Sequence, residues 1–325
     1  MEPIEKRVNG VLPNGDLIVV GAHITFPTSE YGKYHPSVSS LVMSKGRKTP
    51  FIYISSAQVQ QASHTVFDNQ KKSSKARDRF KIDGLQDRLT ELFTDWKLRH
   101  PSKELNAAKL KPRLSFYRDS YRAVDGETYL TEAKKITAAY AHVFGGKDEE
   151  VPLSFILSTR HTHDYKIGKN RKSEVPFHFT TQKFSKEHTG GFGVHVADDD
   201  AGKYQYTVVQ NSDFSQVQLQ KLTATLNMSH DLCSCTAIAL PIHFARKLGK
   251  RVMEYCNGME KLGSGGVSDG DAVAEGSDAG DRVEKTIKRV NGFLEVNVDG
   301  TKVRGDGKAK TRPWNKGLDD LMFYL

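Results

Sequence analysis

Cysteine is almost absent: Cys233, Cys235 and Cys256 are all there is in 325 residues. An odd number without paired spacing excludes a disulfide framework and fits a reducing compartment. Cys233 and Cys235 have no further thiols or histidine pair beside them, so they do not form a zinc-site pattern. Long apolar runs are also missing, and nothing approaches the roughly 20 residues that a membrane helix needs. The opening MEPIEKRVNG is polar and charged, unlike a secretory signal. No internal repeat is present. The expectation is a cytoplasmic or nuclear protein without membrane contact.

Acid is scarce relative to base. Lysine and arginine outnumber aspartate and glutamate by 48 to 39, a formal charge of +9. A basic surplus suits a polyanion, because binding a phosphate backbone releases its counterions. The 37% hydrophobic content supports at least one sizeable core. With 27% charged and 9% aromatic residues, the composition is that of an α/β domain.

Leu17 to Phe26 (LIVVGAHITF) is an apolar run of strand length between Asn14-Gly15 and Pro27, the pattern of a strand buried on both faces. Ser37 to Ser44 and Phe51 to Ser55 read as two further strands of an antiparallel meander. A charge-rich connector occupies 68 to 81. Leu85, Leu89, Leu92, Phe93 and Trp96 recur at helical spacing and predict a helix from Ile82 to Arg99, closed by Pro101. A strand at Leu114 to Tyr117, a helix at Glu127 to Phe144 stopped by Gly145-Gly146, and a buried strand at Leu153 to Ser158 follow. Lys166 to Gly202 reads as irregular with one or two hairpin strands. Tyr204 to Val209 reads as a strand, and Ser215 to Met228 and Pro241 to Tyr255 as helices. Gly258 to Asp281, rich in Gly, Ser and Asp, is expected to be a disordered loop. The apolar end, Leu318 to Leu325, is expected to dock on the body.

This order is that of the ribonuclease-H-like α/β fold, a mixed central sheet with flanking helices. GAHITFP at Gly21 to Pro27, with HPSVSSLVMS after it, resembles the first two strands of the Piwi domain, where the first reads Gly-Ala-Asp-Val-Thr-His-Pro. FYRDS at Phe116 to Ser120 resembles the Phe-Tyr-Arg-Asp-Gly motif. STRHTH at Ser158 to His163 resembles Lys-Arg-His-His-Thr, and PIHFARKLGKR at Pro241 to Arg251 resembles the Piwi helix Pro-x-Tyr-Tyr-Ala. The chain thus resembles a free-standing Piwi module of the Argonaute family, read as one domain over 1–325 with a lead-in at 1–16 and without N, PAZ and MID domains.

The resemblance implies a two-metal nuclease site. Two divalent ions about 4 Å apart need clustered anionic oxygen. The family's first acid falls on His23, a neutral and poor Mg²⁺ ligand. The second falls on Asp119, which is retained. The last ligand falls on Arg246, a permanent cation that repels a metal. No acid stands between Gln60 and Val66, where the family's mobile glutamate is expected. His23 reads more simply as a buried structural histidine, Asp119 fits a turn residue as well as a retained acid, and hydrolysis is not expected. No cofactor is expected either, Mg²⁺ entering only if the site proves to be active.

The resemblance also implies an RNA-binding face. Arg160 and His161 occupy positions that contact the guide backbone, and Arg251 matches the arginine near the guide's 5′ end. Arg246, Lys247, Lys250 and Arg251 form a dense cationic helix. Leu325 would lend its terminal carboxylate to the 5′-phosphate pocket. The first reading is therefore an RNA-binding, non-slicing protein related to small-RNA silencing. Its partners would be RNA, including a small guide RNA, and a protein supplying MID or PAZ functions. The alternatives are a metal-dependent endoribonuclease using Asp119 with acids such as Asp198, Asp199 or Asp200, and a protein-interaction scaffold or Argonaute relic.

Overall fold

The computed structural model describes residues 16–27, 36–46, 52–60, 80–101, 111–120, 126–161, 177–182, 191–196, 203–212, 214–228 and 238–263. Cys233, Cys235, Asp198, Asp199, Asp200, the connector at 68–79, residues 264–281 and Leu318–Leu325 with its terminal Leu325 lie outside the described residues.

Eight strands form one mixed sheet: β1 (Leu17–Thr25), β2 (Ser37–Ser44), β3 (Tyr53–Gln60), β4 (Arg113–Asp119), β5 (Leu153–His161), β6 (Phe177–Gln182), β7 (Gly191–Val196) and β8 (Lys203–Asn211), in the spatial order β3-β2-β1-β4-β5-β8-β7-β6. Four helices accompany them: α1 (Leu85–Arg99), α2 (Gly126–Phe144), α3 (Gln216–Met228) and α4 (Leu240–Gly263). A short 3-10 turn, Asp148–Glu150, precedes β5.

The first three strands form the expected meander. The Ser44 hydroxyl accepts from the Val19 amide at 2.9 Å and the Ser40 hydroxyl donates to the His23 carbonyl at 3.2 Å, so one strand's numbering rises as the other's falls. The same antiparallel sense joins β2 to β3, where Ser39 donates to Gln58 and Ser37 to Gln60. β1 is parallel to β4, from Leu17 opposite Arg113 to Ala22 opposite Arg118. β4 is parallel to β5, which places Asp119 opposite Ser158. Parallel strands are covered on both faces, and β1 is buried from Leu17 to Ile24. This is the ribonuclease-H-like α/β architecture anticipated from the order of elements.

By internal packing the chain divides into two compact units: Met1–Ala22, Val42–Ile54 and Leu85–Phe244 in the first, His23–Leu41, Ser55–Gly84 and Ala245–Leu325 in the second. In the first, α1 buries Leu85, Leu89, Leu92, Phe93 and Trp96. Phe93 meets Tyr140 of α2 edge-on at 5.8 Å, and Trp96 meets Phe144 at 5.9 Å. Gly145, at φ 77°, ends α2 in the left-handed conformation that glycine adopts without strain. In the second unit, Phe26 packs edge-on against Phe80 at 5.7 Å. The Gln60 side chain donates to the Lys81 carbonyl at 3.0 Å and accepts from the Asp83 amide at 3.3 Å.

Some boundaries differ from the sequence reading. α1 begins at Leu85, because Gly84 just before it takes φ 60°. β3 runs to Gln60 rather than Ser55, since Ser55, Ser56 and Gln60 are buried although polar. α4 continues to Gly263, so the first part of the loop expected from Gly258 is helical. Met259 and Leu262 prolong the apolar spacing of Val252 and Cys256 there. Both hairpin strands allowed for between Lys166 and Gly202 are present as β6 and β7.

Candidate nucleic-acid interface

Successive residues of β4 alternate between the two faces of the sheet. Leu114, Phe116 and Arg118 share one face, where Phe116 meets Phe155 edge-on at 5.3 Å. Arg118 and Glu132 of α2 are both almost fully buried, with Nε and Oε2 3.3 Å apart. A second guanidinium nitrogen donates to the Asp119 backbone carbonyl at 2.8 Å. Arg118 therefore ties the end of β4 to α2 and fixes the peptide that presents Asp119. Next along the chain, Ser120 and Tyr129 share a hydrogen bond of 2.5 Å between their hydroxyls. Burial raises the pKa of Tyr129 above its ordinary value, opposed by the Arg118 charge and reinforced by Glu132 and Asp119.

The opposite face carries Ser115, Tyr117 and Asp119. Tyr117 hydrogen-bonds Thr223 of α3 at 2.9 Å and lies edge-on to Tyr206 at 6.5 Å. Tyr206 accepts from the Ala239 amide at 2.9 Å. Burial holds both phenols far above their ordinary pKa. Asp119, itself buried, stands at the end of this hydroxyl-lined face. It lies beside the carboxyl end of a parallel strand, where α/β sheets place their ligands.

In the second unit, Ser40 gathers two of the positions singled out by sequence. Its hydroxyl is 3.2 Å from the His23 carbonyl and 2.7 Å from the carbonyl of Ala245, the residue before Arg246. Gly249 abuts Thr25, and a β-carbon there would lie 3.2 Å from the Ser40 hydroxyl. The helix thus sits directly on the strands, and His23 is buried as expected of a structural histidine. Ala245, Leu248, Gly249, Val252 and Met253 are the buried residues along this part of the helix.

Arg246, Lys247, Lys250 and Arg251 fall within an arc of roughly 140° on α4, at about 100° per residue. Lys247 and Lys250 are exposed, and Arg251 is part-exposed. Arg246 is half-buried and already engaged by neighbouring groups. Glu254 lies inside the same arc, with Oε2 3.9 Å from an Arg251 nitrogen. So long and exposed a pair contributes little. The outer face of α4 therefore keeps a net positive charge.

Arg160 and His161 close β5, opposite Tyr204 and Lys203 of β8. Among the described residues no group of three or more His, Cys, Asp or Glu side chains is arranged to hold a metal ion. No described helix is long and apolar enough to cross a membrane. The Arg118–Glu132 pair and the Ser120–Tyr129 bond were not singled out in the sequence. Their signal was there: Glu132 falls in the apolar stripe of Tyr129, Ala133, Ile136 and Tyr140 on α2, where a carboxylate needs a buried partner.

No protein-family model and no curated protein matches the sequence. Solved structures do match the fold. The C-terminal lobe of a budding yeast Argonaute is similar over 100% of this chain and 57% of that one, with a TM-score of 0.59 and 13% identity. Kluyveromyces polysporus Argonaute, solved with a guide RNA, is similar over 99% of this chain and 34% of that one, with a TM-score of 0.57 and 13% identity. The chain therefore spans between a third and three-fifths of the length of these structures. At such identity the likeness is one of fold.

Proposed function

We propose that this chain is an RNA-binding, Piwi-like module that does not cut the RNA it holds. The observation that carries the reading is the cationic outer face of α4, in a fold similar to that of an Argonaute solved with a guide RNA. Lys247, Lys250 and Arg251 provide donors for phosphate oxygens, the arginine through its planar fork. Buried apolar residues on the opposite side of the helix hold that face outward. Arg160 and His161 at the end of β5 are proposed as further backbone contacts.

The expected absence of cutting rests on the sequence resemblance. The positions it assigns to metal ligands fall on His23, Asp119 and Arg246, and of these only Asp119 is the kind of anionic ligand that Mg²⁺ requires. The second reading, a metal-dependent endoribonuclease, draws on the position of Asp119 at the carboxyl end of β4.

Charge reversal separates these readings from a scaffold that no longer touches nucleic acid. The variant R160E/R251E is expected to lose at least ~10-fold in affinity for single-stranded RNA at low salt, by fluorescence anisotropy, with its melting temperature preserved. Unchanged affinity in the folded variant would remove Arg160 and Arg251 from the interface. No RNA binding by the folded wild-type protein would leave the scaffold reading.

A further inference from the structure

We propose that Tyr255 is a stacking platform for an unpaired nucleobase, standing beside the cations of α4 that hold the phosphates of the same RNA strand. This rests on the RNA-binding reading and deepens it, from a charged face to a site that takes single-stranded RNA. Tyr255 lies beyond the Pro241 to Arg251 motif quoted above. Among the described side chains it is the one tyrosine, phenylalanine or tryptophan that stands exposed, at 48%. The other exposed large apolar residues, Ile52, Leu98, Leu130 and Val217, are aliphatic and lie elsewhere in the chain.

Helix geometry puts the ring at the end of the basic face. At about 100° and about 1.5 Å per residue, Tyr255 is ~40° around α4 from Arg251 and ~6 Å further along. Residues four apart are neighbours on a helix surface, so a nucleotide with its phosphate on Arg251 brings its base to Tyr255. Charge sorts the two parts of that nucleotide. Lys247, Lys250 and Arg251 attract phosphate over the first part of the face. Glu254, exposed one residue before Tyr255, repels phosphate and leaves an uncharged base unopposed. Its loose pairing with Arg251, at 3.9 Å, leaves both charges open to water.

A stacking site selects the form of the RNA. Bases within a duplex are stacked on one another, and the deep, narrow groove of A-form RNA keeps side chains from their edges. Single-stranded bases present free π-faces, which aromatic rings hold with little regard to sequence. The ligand is therefore unpaired RNA, with its phosphates on the lysines and the arginine and a base on the ring.

The experiment measures binding of the full chain to two labelled strands of equal length, oligouridine and an abasic RNA backbone, at one ionic strength. Wild type is expected to prefer oligouridine by ~10-fold, and Tyr255→Ala and Tyr255→Leu to reduce that preference below ~2-fold through lost oligouridine affinity. Tyr255→Phe keeps the ring and is expected to retain the preference. Tyr255→Ala removes no charge, so its slope of log affinity against log salt stays that of wild type. Circular dichroism and the melting temperature check that each variant is folded. Wild type without a preference for bases, or Tyr255→Ala with the full preference, overturns the platform and leaves the RNA reading standing. So does Tyr255→Leu that binds as wild type, or Tyr255→Phe that fails like alanine. A flattened salt slope in Tyr255→Ala marks a phosphate contact instead and also overturns it. Folded wild type that binds neither strand at low salt sinks both.

Discussion

The end of β4 and the outer face of α4 both concentrate charge, and they use it in opposite ways. At β4, Arg118 is withdrawn from water, bonded to Glu132 and to the carbonyl of Asp119. Both of these bonds are internal, and the cluster ties a strand to a helix. On α4, Lys247 and Lys250 stand in solvent, and Arg251 has a loose neighbour in Glu254. The first arrangement resists any ligand that would have to break it; the second leaves its cations to water. Burial, more than charge count, separates a structural ionic cluster from the face proposed here to bind.

The comparison breaks most visibly at the buried pair. Removing one member, by Arg118→Met or Glu132→Leu, leaves the other charge stranded and is expected to cost about 3–5 kcal/mol. R118M/E132L together should recover most of that loss, which urea denaturation measures. If the single changes cost no more than exposed substitutions, the pair does not hold β4 to α2.

Close packing comes next. A β-carbon at Gly21 would overlap the Pro241 carbonyl, so Gly21→Ala is expected to destabilise by about 1–3 kcal/mol, read in the same denaturation experiment. The alkaline limit is gentler. Tyr117 and Tyr206 ionise near their ordinary value of 10.0 when unfolded and far above it when folded. The unfolded state therefore loses protons first, and stability present below that value falls as pH rises past it. Each phenol contributes a slope of ~1.4 kcal/mol per pH unit, and Tyr117→Phe should make the fall shallower.

The exposed face should answer least in stability and most in binding. K247Q/K250Q/R251Q is expected to alter unfolding free energy by no more than ~0.5 kcal/mol. Its salt slope for single-stranded RNA should flatten by ~2, from ~0.7 per lost phosphate contact. A large stability change with an unaltered slope would reverse the roles given to the two regions.

Much of this was legible in the sequence where burial follows apolarity. β1 was placed to within a residue, because a strand covered on both faces leaves an uninterrupted apolar run. β3 was cut short, because Ser55, Ser56 and Gln60 are polar yet buried, Gln60 through hydrogen bonds to Lys81 and Asp83, which hydropathy does not register. The motifs drew attention to Asp119, yet the side chain organising that corner is its neighbour Arg118, whose partner lies 14 positions along the chain. The cationic face of α4 was visible from spacing alone.

The most direct measurement incubates the purified chain with end-labelled RNA in Mg²⁺, then Mn²⁺, and resolves complex formation and RNA length on parallel gels. A salt-sensitive complex that returns full-length RNA is the expected result. Shortened RNA that depends on the metal and disappears with Asp119→Ala would contradict the non-cutting reading.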